Sequence, residues 1–481
     1  MSFSPGPYLV PVNNVDRAEG TIGTNATPIE PQVAIDPVHP STLALSQQNG
    51  LQLSTDAGAT FSRPITYPQI QTGPVVNKGD TTTVFDSHGR LFWANLSDVT
   101  GILTVYVTQL DPTTGAPIPR ATHAVSTPPA ASMSYDDKDF LAVDSHDNLY
   151  VAWTRFSGCS DPGAANPLDC SATTVMISRS TDQGQTWSPP VTVSDPADGF
   201  TWPATVSIAT SGDVYVAYHA TPATTLNDAN GEVVVARYSN DLGTLRSKTA
   251  AFTPGNAAIR GLFSPSGVFS QTYPGTDFFT AGTGQSPVLT DPARPRNVYV
   301  ISVNDPSAGG PGDPADLVIA RSTDRGAHWR TSTLEDGPNG SFQLFPTASI
   351  DQFGDIVVAW YDNRAGLKDG AGNYLLDVYA KYSTDGGLTW SPAFQVNDLN
   401  NHFNTQNIPP DPQLGIPRIA DYIGTSLFGG TAYVTWEGNR GAHGQQVFLD
   451  SFALRGSLTV SGDKGALDDT GIPQMTVQPI E

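Results

Sequence analysis

The sequence predicts an all-β fold assembled from one repeated unit. Two repeats and the composition carry that prediction. A short pattern, Ser-Thr-Asp-x-Gly-x-x-aromatic, occurs four times, at residues 54–61 (STDAGATF), 180–187 (STDQGQTW), 322–329 (STDRGAHW) and 383–390 (STDGGLTW). A second pattern joins an apolar run, a polar turn and another apolar run, as in 141–153 (LAVDSHDNLYVAW) and 348–360 (ASIDQFGDIVVAW). The 481 residues include 46 glycines and 40 prolines but only 15% charged residues, a balance that suits many tight turns between strands.

The first pattern reads as a hairpin turn. Its Ser and Asp side chains can bond nearby backbone N–H groups, its Gly supplies a positive φ, and its aromatic folds back onto the sheet. Each copy follows a strand-like run, such as 174–179 (TVMISR) or 377–382 (DVYAKY). One copy would say little, but four in one chain mean a repeated supersecondary unit. The second pattern reads as a tight hairpin with a buried first strand. Further versions stand at 33–45, 83–95, 206–218, 288–301 and 419–436, and the anchors Asp36, Asp86, Asp144, Ala209, Asp291, Asp351 and Asp421 mark seven units. The anchor aspartates read as turn formers that bond their own backbone, with metal ligation as the alternative.

A formal net charge of −22 argues against nucleic-acid or anionic-membrane partners. No apolar run is long enough to span a bilayer. The opening residues, MSFSPGPY, lack the apolar core of a secretory leader. The remaining composition, rich in Thr, Asn, Gly and Pro, still points to a secreted, extracellular or periplasmic protein, with its leader removed or exported without one. Cys159 and Cys170 are the only cysteines and flank one loop, which they are expected to staple as a disulfide.

The four short repeats resemble the Asp box of the sialidase-like (BNR-repeat) β-propellers, with Asp56, Asp182, Asp324 and Asp385 at the box aspartate. The resemblance covers the architecture of most of the chain. It implies a closed ring, and the anchors make it a seven-bladed β-propeller, one blade more than the sialidases have. A single propeller domain accounts for the whole length. Residues 1–29 would form an N-terminal segment in which 8–12 closes the ring, 30–455 the blades, and 456–481 a C-terminal strand or tail. The blades are expected to begin near Glu30, Asp80, Asp139, Trp202, Gln285, Phe345 and Arg418. The resemblance also implies that each inner strand starts at the functional face, and that the Asp boxes lie at the periphery in a structural role.

That topology sorts the polar residues. Those just before an inner strand, or just after a second strand, would reach the mouth of the channel. Asp80 and Asp139 are candidate acids there. Tyr361, with Tyr422 as an alternative, is a candidate nucleophile and Glu437 its partner. Arg155, Arg364, Arg418 and Arg440 are candidates for binding a carboxylate, because guanidinium forks engage carboxylates through two bonds; Trp202 is a candidate stacking surface. For Arg364 and Arg440 the structural alternative is an ion pair with an acid of the neighbouring blade. The family's early arginine motif is missing, since 27–31 reads TPIEP. The run 136–139 (DDKD) is open to three readings: solvated loop, calcium site or catalytic cluster.

The implied function is that of a secreted sialidase-like glycoside hydrolase acting on an acidic glycan at the channel mouth. Two alternatives stand beside it. One is a non-catalytic propeller that binds glycan or protein as a lectin, adhesin or structural module. The other is a polysaccharide lyase drawing its base from His219 or Tyr361. None of these requires a cofactor, and the sequence holds no Walker loop, dinucleotide fingerprint or paired-histidine metal motif. Calcium is the one ion that an acidic exported propeller would suit.

Overall fold

The computed structural model describes residues 30–454 except for 49, 66–75, 100–101, 129–132, 161–169, 222–230, 254–274, 277–284, 305–314, 409–416, 418, 420 and 440–443. Its strands form seven antiparallel sheets, five of four strands and two of three, each ordered along the chain. These sheets are the blades of a β-propeller. Their inner strands are Gln32–Ile35, Val76–Phe85, Tyr135–Val143, Phe200–Ile208, Val288–Thr290, Gln343–Ile350 and Gly424–Phe428, in blades one to seven. Blades one and seven are the three-stranded ones among the described residues. The segments expected to complete the ring, 8–12 and 456–481, lie outside those residues.

Each blade is packed on both faces by its neighbours. Its central strands therefore read as near-continuous apolar runs rather than alternating ones. The second strand of blade four, Val214–Thr221, is buried at every position. The ring closes through the same kind of contact: Tyr433, Val447 and Leu449 of blade seven pack with Val33, Leu43 and Leu45 of blade one. At this seam a Cβ on Gly424 would stand 2.8 Å from the Pro31 carbonyl oxygen and 2.9 Å from Gln32 Cα. Only a residue without a side chain lets the two inner strands approach so closely.

The Asp boxes follow the third strands of blades one, three, five and six. In blade three, Ser180 Oγ donates to Asp182 Oδ1 (2.8 Å) and accepts from Gly184 N–H (2.8 Å), while Asp182 Oδ1 accepts from Thr186 N–H (2.9 Å). The other three boxes repeat these contacts. Positive φ is needed at two successive residues, Gln183 (64°) and Gly184 (81°), so the glycine does only half of the turning. A degenerate fifth copy sits in blade four. Ser239 Oγ donates to Asp241 Oδ1 (2.5 Å) and accepts from Thr244 N–H (3.0 Å), with Leu242 at φ 62°, and no aromatic follows.

The hairpin anchors act as turn formers. Asp86, Asp144 and Asp351 each accept bonds from the backbone N–H groups two and four residues on. Asp421 departs from the expectation. It precedes the inner strand of blade seven instead of following it, and Gly429 and Gly430 make that hairpin turn. Cys159 and Cys170 are joined in a disulfide between the second and third strands of blade three.

Candidate functional site

Four inner strands lose register near their start, between Gly79 and Thr82, Asp137 and Phe140, Thr201 and Ala204, and Leu344 and Thr347. Such a bulge leaves a residue unpaired and re-aims its side chain. The backbone records the cost: φ is 45° at Asp80, 53° at Lys138 and 49° at Phe345, and 61° at Glu30, just ahead of the inner strand of blade one. Non-glycine residues held there cost of order 1–3 kcal/mol each, so their surroundings must fix them.

A chain of caps does so. Glu30 Oε2 accepts from Asp80 N–H (3.0 Å), and Asp80 Oδ2 accepts from Lys138 N–H (2.9 Å). Each bulged residue thus caps the bulge of the next blade. The Lys138 ammonium closes the circuit, donating to Glu30 Oε1 (3.1 Å), Asp80 Oδ1 (2.6 Å) and Asp421 Oδ2 (2.5 Å). All three of its N–H groups are used. Tyr422 lies beside it, with 5.4 Å between Nζ and the ring centroid, and the Tyr422 hydroxyl accepts from Thr81 N–H (3.0 Å). Gly79 makes room: at φ 122°, a Cβ there would sit 3.1 Å from Glu30 Oε2.

Two more carboxyls complete the cluster. Asp139 Oδ2 accepts from Thr82 Oγ1 (3.3 Å), while Asp139 Oδ1 is buried with no hydrogen-bond partner. Asp137 is half-buried and accepts from Trp202 Nε1 (3.0 Å). The Asp80 and Asp137 carboxyls influence each other, Asp137 raising Asp80 and Asp80 lowering Asp137. Burial pushes Asp80 up to about 7, against the pull of Lys138 and helped by repulsion from Asp137. Burial also raises Asp137, and lifts Asp139 well above the carboxylate range with Asp80 adding to it. Burial opposes the charge of Lys138, but Asp421, Asp80, Glu30 and Asp137 keep it protonated well beyond the usual lysine value. The result is a carboxyl, Asp80, whose proton is held near neutral pH beside an ammonium.

The run 136–139 is thus part of a buried strand, Tyr135–Val143, and not a solvated loop. Of the residues expected at the site, Asp80 and Asp139 fall in the cluster. Trp202 joins it through its indole N–H; its ring is buried in an edge-to-face contact with Phe156, 6.1 Å between centroids. Arg155 binds Asp136 through two bonds (2.8 and 3.1 Å). Arg364 binds Asp362 (2.5 Å) and, across the blade boundary, Glu335 (2.8 Å), with its guanidinium 4.2 Å from the Tyr379 ring centroid. Arg418 and Arg440 lie outside the described residues.

Tyr361 and Glu437 do meet, but through the backbone. The Tyr361 hydroxyl donates to the Glu437 carbonyl (2.7 Å) and accepts from its N–H (3.0 Å), while the Glu437 carboxylate accepts from Gln445 (2.7 Å). Burial, then Glu437, pushes the Tyr361 phenol well above its ordinary value. His219 is enclosed between blades four and five, 2.7 Å from Ser286 Oγ, and burial lowers it to about 4.

Glu30, Asp80 and Asp421 present oxygens within 4.8 Å of one another, a spacing that also suits a hard cation. The Lys138 ammonium stands among them, so this set is fitted to an ammonium. A second such group, Asp86, His88 and Asp147, lies on the turns of blades two and three. There Arg90 bridges the carboxylates at 2.5 and 3.2 Å.

The site and ring define a class: an all-β, seven-bladed propeller with a polar cluster where its inner strands begin. The chain matches the BNR/Asp-box repeat at residues 178–189 and 381–392. The repeats and the seven sheets together are those of an Asp-box β-propeller. Solved structures of similar fold include a Hadza microbial sialidase, 13% identical over 86% of this chain and 73% of that one, with a TM-score of 0.45. An α-L-arabinanase of Penicillium chrysogenum is 13% identical over 78% and 94%, at 0.43. A protein of unknown function from Dyadobacter fermentans is 11% identical over 78% and 94%, at 0.47. No curated protein matches the sequence. Among the described residues, no helix is long and apolar enough to cross a membrane.

Proposed function

We propose that the protein is a secreted glycoside hydrolase working at the channel mouth on the Asp80–Asp137 carboxyl pair. The proton that burial keeps on Asp80 supports this reading. Glycosidic cleavage needs a carboxylic acid that keeps its proton near neutral pH, and negative charge beside the oxocarbenium ion that develops. Asp80, pushed up to about 7, holds the proton. Asp137, at the half-buried edge, is the member placed to pass it to the leaving oxygen. Lys138 then neutralises the carboxylate left behind. Water adds its hydroxyl to the anomeric carbon and returns its proton to the pair. The disulfide suits an oxidising compartment and supports the secreted reading. Arginine-dependent cleavage of an acidic sialoside would fall to Arg418 and Arg440, because Arg155 and Arg364 are already engaged.

A panel of fluorogenic glycosides, neutral, amino and sialic, tests the proposal. Turnover is expected in the wild type, with a loss of about 10²-fold or more in Asp137→Asn. A wild type that binds glycans yet turns over no donor would replace hydrolysis with binding alone. That second reading draws on Lys138, which fills the centre of the carboxylate set.

A further inference from the structure

A second polar site stands at the same end of the blades, between blades six and seven. Asp377 begins the third strand of blade six. It pairs with Asp362, and Asp362 pairs with Gln343, the first residue of the inner strand. Trp436 and Gly438 end the second strand of blade seven. These residues of the two blades, with Phe403 and Phe448, line a cavity of about 10 Å³, room for one group the size of a water. Two polar groups belong to it. Asp377 is 2% exposed; its Oδ1 accepts from Asn397 Nδ2 (2.8 Å) and Gln395 Nε2 (3.3 Å) and lies 2.7 Å from His402 Nδ1. Its Oδ2 is buried with no hydrogen-bond partner. The second group is the Trp436 indole N–H, which donates to none of the described residues. Gly438 keeps the space beside it open: a Cβ there would stand 3.6 Å from Trp436 Nε1 and 3.0 Å from the Phe448 ring. Buried polar groups left unpaired are costly, so a cavity bordered by one acceptor and one donor asks for a guest that answers both. A hydroxyl donates and accepts, whereas an ammonium cannot accept and a carboxylate cannot donate.

We infer that this cavity is a sugar subsite, taking one hydroxyl of a neutral glycan unit with Asp377 Oδ2 as acceptor and the Trp436 indole N–H as donor. This rests on the glycan-directed reading above and adds a binding site to it. A sugar ring is too large for the cavity, so the ring stays outside, against the half-buried Asn401 at its edge. A site built around one hydroxyl penalises a ligand that lacks it, because its own buried polar groups are then left unpaired.

The test titrates the whole protein, its tryptophans labelled with heavy nitrogen, with cellotetraose, xylotetraose and arabinotetraose. Calorimetry gives the affinity, and nuclear magnetic resonance follows the indole N–H signals; the one missing from Trp436→Phe belongs to Trp436. Asp377→Asn is the second variant, since it can keep the Oδ1 contacts while turning the acceptor in the cavity into a donor. At least one tetrasaccharide should move the Trp436 signal and bind about tenfold or more weakly to each variant, as expected for one hydrogen bond to a charged group. A tetrasaccharide that binds without moving that signal, or equally to both variants, overturns the inference, makes the cavity the seat of a resident water only and leaves the glycan reading in place. Binding of none of the three also overturns the inference, and the glycan reading is then decided by the fluorogenic panel. A circular-dichroism melt of each variant separates loss of the hydrogen bond from loss of fold.

Discussion

Lys138 keeps three buried carboxylates compatible with one another, and its removal should be felt in two ways. Lys138→Met removes the ammonium that Glu30, Asp80 and Asp421 share, which costs roughly 3–5 kcal/mol at neutral pH. The deficit should shrink on acidification, as the carboxylates take up protons; urea unfolding at several pH values reads both effects. Lys138→Ala also vacates the centre of an oxygen cage. Terbium, a luminescent stand-in for calcium, should bind that variant and leave the wild type dark. Asp80 carries its own pH signature. Its folded value, about 7, lies above the ordinary 3.8, so the stability it contributes is complete below about 3.8 and lost as pH rises through 7. Asp80→Asn should flatten that fall in a plot of unfolding free energy against pH. Part of this site was legible in the sequence. Asp80 and Asp139 were legible by position alone, because both stand just before a recognisable apolar run, which in the structure is the later part of an inner strand. Asp421 was not: DYIGTSLFGG places an aspartate next to an apolar run much as the hairpin anchors do, and nothing local shows that it starts the strand. The arginines were partly legible: an ion pair of Arg364 with an acid of the neighbouring blade was one of its two readings, but that the acid is Glu335, and that Asp136 holds Arg155, depends on blade packing and strand register.

At the level of single elements, local chemistry decides most of the outcome, and the sequence is correspondingly readable. The four boxes announce themselves because every residue in them answers to a bond or a torsion inside the same turn. Ser180→Ala should cost about 1–3 kcal/mol, since it strands the buried N–H of Gly184. Asp241→Ala in the degenerate copy should cost less, its partner N–H being exposed. Paired denaturation curves compare them. That fifth turn is not recognisable as a repeat because it has no aromatic and reaches the following strand sooner, at Leu245, six residues after its serine, against eight or more in the boxes of blades three, five and six. The bulges are illegible for the opposite reason. Asp80 and Lys138 adopt positive φ only because a carboxylate from the preceding blade caps each amide, and no residue type there advertises it.

For the whole molecule, the seam between blades seven and one leaves no room for added volume at Gly424. Gly424→Val should destabilise by about 1–3 kcal/mol or more, because the atoms it meets belong to the backbone of Pro31 and Gln32 and cannot rotate away. Arg364→Ala, remote from the Asp80–Asp137 pair, should lower the melting temperature while leaving turnover per folded molecule unchanged; differential scanning calorimetry beside a rate assay checks the split. The caps that run from Glu30 to Asp80 to Lys138 end on Asp421, 283 residues further along, and Thr81 waits for Tyr422 across 341. At translation speeds of ~5–20 residues per second, that interval is many seconds long. During it the first three blades exist without their last partner, and the ammonium has no third carboxylate. The cluster is therefore left unfinished until the seventh blade arrives, so the last part of the chain to be made is the part that locks the first.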